Sequence, residues 1–203
     1  NRAQAWIDLD EVIPVTANSD EDSDWQKIYT AVESTYGIVV TYNGEIASTP
    51  YCSTCGGQTA DASEVWSNSL PWLVSVECPY DTDSPKYETV VSYSKEELAK
   101  LLDVNESDLK NISITDRTAS GRVANLKVAN KQYTGQEIRK LLSLNSTNFS
   151  ICLTTDKVVF NVRGYGHGVG LCQYGAKGMA DTGKTYEEIL TYYYHGIELT
   201  KMY

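Results

Sequence analysis

Apolar and polar positions along the chain fall into short stretches whose rhythm changes often. Trp25, Ile28, Tyr29, Val32 and Tyr36 recur at helical spacing behind a cap at Ser23 or Asp24, and Gly37 ends the helix. Ile38–Tyr42, the Asn43-Gly44 turn and Glu45–Thr54 predict a β-hairpin, because Asn-Gly supplies the positive φ angles of a tight hairpin turn. From Cys55 to about Ser92, Gly56-Gly57, Pro71, Pro79 and Pro85 predict loops. Capping boxes at Ser94/Glu97, Thr134/Glu137 and Thr185/Glu188 predict helices to Leu102, through Leu142, and over Tyr192–Tyr194 to Gly196. Strands are expected at Ile112–Thr115 and Val123–Val128, with a turn at Ala119–Gly121 between them. A hairpin around Asp156-Lys157 joins Ile151–Thr154 to Val158–Val162, and a terminal strand follows Gly196. Residues 1–22 read as irregular and acidic, and residues 164–183 as a glycine-rich stretch. Helices and strands mix without a βαβ rhythm. The fold class is therefore α+β: mixed antiparallel strands and hairpins with several short helices, loop-rich, in one domain over 1–203 with a subdomain near 1–40.

Composition narrows the function. The chain has 203 residues, 41% hydrophobic and 22% charged, which excludes disordered, collagen-like and coiled-coil chains. The 17 Lys+Arg against 27 Asp+Glu give a formal net charge of −10, which argues against nucleic acid as a partner. The most apolar run, Lys157–Val162, is of strand length and not of membrane length, and Asn1–Trp6 lacks the pattern of a leader. With 15 Tyr against 2 Phe, the aromatic surface is amphipathic and suits polar ligands such as saccharides.

Candidate chemistry gathers in two glycine-rich segments. His167, one of 2 histidines, sits within Gly164-Tyr165-Gly166-His167-Gly168-Val169-Gly170. Alternating glycines weaken regular structure and admit close backbone approach, so a titratable ring placed there points to a site. His195 beside Gly196 reads as an ordinary last-turn residue. Cys52-Ser53-Thr54-Cys55-Gly56-Gly57-Gln58-Thr59 clusters hydroxyl and amide groups as a polar groove would. Its C-x-x-C spacing lacks a second pair to complete a four-cysteine metal site, and Cys52, Cys55, Cys78, Cys152 and Cys172, odd in number in a chain that is not short, argue against a full disulfide framework. A nucleophilic pair of Ser53 or Ser120 with His167 lacks the Gly-x-Ser-x-Gly elbow. No carboxylate pair stands out for glycoside hydrolysis.

Three blocks resemble the stage II sporulation protein D / amidase enhancer family over about residues 4–203. They are Tyr51–Thr59 with Glu64-Val65-Trp66 and Pro71-Trp72-Leu73; Ser120–Val123 with Thr134-Gly135, Arg139, Leu144 and Ser146–Phe149; and Gly164–Ala176 with Gly178–Ala180 and Tyr186–Tyr193. The resemblance implies a peptidoglycan lytic transglycosylase that leaves 1,6-anhydro-muramoyl ends during engulfment in sporulation. The alternative it leaves open is a noncatalytic peptidoglycan-binding or amidase-activating module. The implied setting is extracytoplasmic, in the space between mother cell and forespore, with a membrane anchor upstream in the full-length protein. Glycan strands, and other wall-remodelling proteins of sporulation, are the implied partners. The family's catalytic Glu belongs to a Glu-x-x-Lys-Ala-Gln-Ala helix expected before Asn1. In this chain the resemblance assigns supporting roles to His167, Gln173 and Tyr174. It assigns substrate contacts to Ser53, Thr54, Cys55, Gly56, Arg139, Ser146, Tyr165, Gly166 and Gly168. Some members hold zinc in an upstream His/Cys cluster. Arg2-Ala3 stand where His-Cys often occurs, so no cofactor and no metal are expected. A zinc-dependent hydrolase would need metal on His167 or the cysteines.

Overall fold

The computed structural model describes residues 19–66 and 68–203, with side chains from residue 25 onward. The expected acidic stretch over residues 1–18, Arg2-Ala3 included, lies outside the described residues. The chain divides into two compact units, residues 1–39 with 201–203, and Val40–Thr200.

In the smaller unit, α1 spans Ser19–Ser34 and begins ahead of the expected cap at Ser23 or Asp24. Part of the stretch read as irregular is therefore helical. The apolar spacing that marks the helix starts only at Trp25, so periodicity cannot show its first turns. Gly37, at φ 73°, ends the turn after it.

The rest of the chain runs in order through β1 (Ile38–Tyr42), β2 (Glu45–Ile46), β3 (Tyr51–Cys52), β4 (Glu88–Ser94), α2 (Lys95–Leu102), β5 (Ser113–Arg117), β6 (Val123–Val128) and β7 (Lys131–Thr134). It continues through α3 (Gly135–Leu141), β8 (Phe149–Leu153), β9 (Lys157–Arg163), β10 (Leu171–Cys172), α4 (Gln173–Asp181), α5 (Tyr186–Tyr193) and β11 (Glu198–Lys201). The architecture is α+β, as the pattern predicts. Two antiparallel three-stranded sheets, β4-β9-β8 and β5-β6-β7, form its body. The β8/β9 hairpin pairs Ile151 with Phe160, and the three capping boxes form as spaced.

Three differences matter for the site. The hairpin β1/β2 turns at Asn43-Gly44 but its second strand stops at Ile46; the next strand, β3, pairs in parallel with β10 instead. β4 and β7 occupy sequence read as loop or left unassigned; both are edge strands, β7 with Tyr133 as its one large apolar residue and β4 with an outward Val90 beside Val91 that breaks the alternation, so periodicity marks them weakly. The glycine-rich segment hides α4, whose Gly175 and Gly178 face crowded neighbours. A Cβ on Gly175 would fall 2.1 Å from Tyr193 Oη, and one on Gly178 2.4 Å from the Tyr80 carbonyl oxygen.

Two cores form. One packs Leu98 and Leu102 of α2 and Ile138 of α3 against Leu126, Val128, Phe149, Val158 and Phe160 of the sheets. The other gathers Cys52, Cys55, Leu73, Cys78, Val169, Cys172, Met179, Tyr193 and Tyr194 around β3, β10 and the last two helices. Among the described residues no helix is long and apolar enough to cross a membrane.

Candidate functional site

The parallel pairing of Tyr51 with Leu171 and Cys52 with Cys172 brings the two glycine-rich segments side by side. Their loops are then laced together through the backbone. Thr54 N–H donates to the Tyr165 carbonyl at 3.1 Å and Tyr165 N–H returns the bond at 2.8 Å. Ala60 N–H reaches the Gly168 carbonyl at 2.8 Å, and Tyr174 N–H the Ser53 carbonyl at 3.1 Å. The third wall comes from the loop after α3, where the Asn145 carbonyl accepts from Gly166 N–H at 3.0 Å. The glycines have a steric reason. Gly168 sits at φ 85°, and a Cβ there would lie 2.2 Å from Arg122 Nη2. Gly170, at φ 73°, would meet the Pro50 carbonyl oxygen at 2.1 Å.

His167 is held tightly in this setting. Its Nδ1 accepts the Val169 N–H at 3.0 Å, so the neutral ring carries its proton on Nε2. Trp66 packs on it with ring centroids 5.1 Å apart. Burial, then the nearby Arg139 charge, pushes the imidazolium down, opposed by a backbone hydrogen bond with Tyr51. A neutral ring whose acceptor nitrogen is occupied suits a donor or a spacer, and is poorly suited to serve as a general base. The serine-histidine alternative does not assemble either. Ser120 gives its hydroxyl to Glu64, and Ser53 Oγ lies 3.4 Å from Thr54 Oγ1.

The predicted contact residues separate into two groups. Tyr165 is 47% exposed, Gln173 is exposed, and Ser53, Gly166, Tyr174 and Arg139 are half-buried around His167 and its loop. Arg139 Nε donates to the Leu144 carbonyl at 3.4 Å, and burial lowers its guanidinium from the ordinary value. The others are interior. Thr54 bonds Ser84 through paired hydroxyls at 2.6 Å, Ser146 donates to the Arg163 carbonyl, and Gly56 N–H donates to Asp81 Oδ2 at 2.8 Å. Cys55 is fully buried, and Gly168 is covered by Arg122. The side chains of Thr54, Cys55 and Ser146 are therefore engaged within the fold and hold the loops together.

A buried polar network went unread in the sequence. Arg122 is 2% exposed; its Nη2 donates to the carbonyls of Cys55 and Gln58, each at 3.0 Å, and its Nη1 to Ser120 Oγ at 3.0 Å. Ser120 N–H in turn donates to Glu64 Oε1 at 3.0 Å. Glu64 and Arg122 stand within the quoted motif blocks, and that was the one signal available for them. Both also line a cavity of about 270 Å³ with Thr134, Gln136 and Thr147. A second cavity of about 370 Å³ is lined by Glu88 of β4, Arg163 of β9 and Arg117 of β5.

Cys55, Cys78, Asp81 and Cys172 meet, all buried, with ligand atoms within 4.8 Å of one another. The crowding shows in their titration: the bond with Cys172 is the first cause that pushes Cys78 up to about 11, and it also raises Cys55. The sequence reading took the C-x-x-C spacing as lacking a partner pair. In the fold Cys55 alone of that spacing meets Cys78 and Asp81 of Cys78-Pro79-Tyr80-Asp81, and Cys172 arrives from β10; Cys52 stays outside the cluster.

Known proteins are similar to this sequence. Stage II sporulation protein D of Bacillus subtilis (strain 168) is 37% identical over 177 residues, 87% of this chain and 52% of that protein. The chain is related to stage II sporulation protein D. The Bacillus amyloliquefaciens protein of the same name is 34% identical over 184 residues, 90% of this chain and 54% of its own length. A protein named amidase enhancer from Bacillus subtilis (strain 168) is 31% identical over 228 residues, 84% of this chain and 32% of that protein. Their names match the family that the three sequence blocks resemble. A family model described as a domain of unknown function (DUF8618) matches residues 79–170. The chain thus spans about half the length of the sporulation protein D relatives.

Proposed function

We propose that the chain is the glycan-holding part of a lytic transglycosylase that remodels the cell wall during sporulation. The observation that carries the reading is the backbone lacing of Thr54 to Tyr165, which fixes a neutral His167 among Trp66, Arg139 and the exposed Tyr165. Aromatic faces with a polar rim suit pyranose rings, and a fixed guanidinium suits the carboxylate-bearing substituents of muramoyl residues. In the complete protein, the acid expected on the Glu-x-x-Lys-Ala-Gln-Ala helix would protonate the glycosidic oxygen. The resulting carboxylate would take the proton of the muramoyl 6-hydroxyl as that oxygen closes on the anomeric carbon, releasing a 1,6-anhydro end without water. His167, Gln173, Tyr174 and Ser53 would hold the strand in register for that closure. The site of action in this reading is extracytoplasmic.

The relative named amidase enhancer supports a second reading, a noncatalytic glycan-binding module that stimulates an amidase. Digestion of purified glycan strands by the complete protein, followed by mass spectrometry, separates the two. The transglycosylase yields 1,6-anhydro-muramoyl ends, with His167→Ala slowing their release. Reducing-end muramic acid would mark a hydrolase and overturn the reading. Sacculus binding without cleavage, together with faster amidase turnover, would establish the second.

A further inference from the structure

We propose that Cys55, Cys78, Asp81 and Cys172 form a structural zinc site, in which three thiolates and one carboxylate tie the two loops of the groove together. Geometry is the first argument. Zinc–sulfur bonds near 2.3 Å and tetrahedral angles put ligand sulfurs about 3.8 Å apart, and a sulfur and a carboxylate oxygen about 3.6 Å apart. Here the four ligand atoms all lie within 4.8 Å of one another, with Cys55 Sγ 3.1 Å and Cys172 Sγ 3.4 Å from Asp81 Oδ2. Changes of up to about 0.5 Å in these two sulfur–oxygen separations, and of at most about 1 Å in any other, would seat a cation among them.

The second argument is the polar accounting of a buried interior. Asp81 is 0% exposed and its Oδ1 has no hydrogen-bond partner, which is costly for a buried carboxylate unless a cation compensates it. The surroundings are arranged for thiolates. Cys55 N–H donates to Cys172 Sγ at 3.2 Å, Gly175 N–H donates to the same sulfur at 3.4 Å, and Tyr193 Oη lies 3.1 Å from Cys78 Sγ. Backbone and hydroxyl donors of this kind are the outer contacts that orient metal-bound sulfur. Three thiolates and a carboxylate around a dication leave two formal negative charges in excess. Arg122, buried close by with its Nη2 on the Cys55 carbonyl and its Nε unpartnered, offsets part of that excess. Sulfur-rich tetrahedral sites with no open position select zinc and serve structure. The ligands come from the loop after β3, from the Cys78–Asp81 turn and from the end of β10, so the metal clamps the segments that carry Ser53 and His167.

The test is metal content of the 203-residue chain purified under reducing conditions with zinc and dialysed against metal-free buffer. Roughly one zinc per chain is expected, falling to background in Cys78→Ser and Cys172→Ser and unchanged in Cys152→Ser. Asp81→Cys should retain the metal, which keeps the proposal testable if the serine variants fold poorly. Cobalt added to the chelator-stripped chain should give thiolate charge-transfer bands and the intense visible bands of a tetrahedral site. A wild-type chain that is folded and metal-free after this treatment overturns the proposal. So does a disulfide between any two of Cys55, Cys78 and Cys172 in peptide mass mapping.

Discussion

Gly170 and Gly121 carry positive φ angles of 73° and 79°, yet their surroundings differ completely. A Cβ on Gly121 meets nothing within 4 Å, while one on Gly170 strikes backbone. Gly121→Ala should therefore cost only about 1 kcal/mol of backbone strain, and Gly170→Ala several times as much, read from urea unfolding midpoints. His167 gives a pH-dependent counterpart. Its pKa in the fold lies below the ordinary value of about 6.5, so the unfolded chain binds the proton more readily. The stability it lends is complete above that ordinary value and is lost as pH falls toward the lower, folded one. The stability gap between wild type and His167→Ala should narrow on acidification from pH about 7.5 to about 5; a gap constant across that range would show that the ring titrates normally. At this scale the sequence was informative where glycine spacing singled out His167. It was silent where burial decides: Thr54, Cys55 and Ser146 have the chemistry of ligand contacts, and only the fold reveals that their polar atoms are already engaged.

The elements that were legible are those with a local chemical signal. Ser94/Glu97, Thr134/Glu137 and Thr185/Glu188 close their capping boxes in the fold, because each pairing needs only residues three apart. Thr134→Ala should lower stability by about 1 kcal/mol while Thr134→Ser stays near wild type, measured by thermal unfolding. Leu126, 0% exposed between helices and sheets, should cost about 2–5 kcal/mol when cut to Ala. The elements that were missed depend on distant partners. α4 carries Gly175 and Gly178 within its helix, residues that weaken a helix in isolation by about 1 kcal/mol each. They are there because Tyr193 and Tyr80 press against that face. β3 likewise is too short to signal itself, and its partner lies far along the chain.

At the scale of the whole molecule, the cysteines sort by depth. Cys52, Cys55, Cys78 and Cys172 are buried and Cys152 is exposed. Brief alkylation of the native chain should modify Cys152 first, with the other four protected until the fold opens; mass mapping of the modified peptides checks this. The parallel strands β3 and β10 carry a further consequence, one of timing. Cys55 and Cys172 touch across 117 residues of sequence, so the groove and the cysteine cluster close only after the chain between them has been made. Contacts of that span slow folding, and the segment carrying Ser53 and Cys55 must wait without its partners. Through that interval its thiols stay uncovered, so refolding under reducing conditions should give a higher yield of the native site than refolding with an oxidant present.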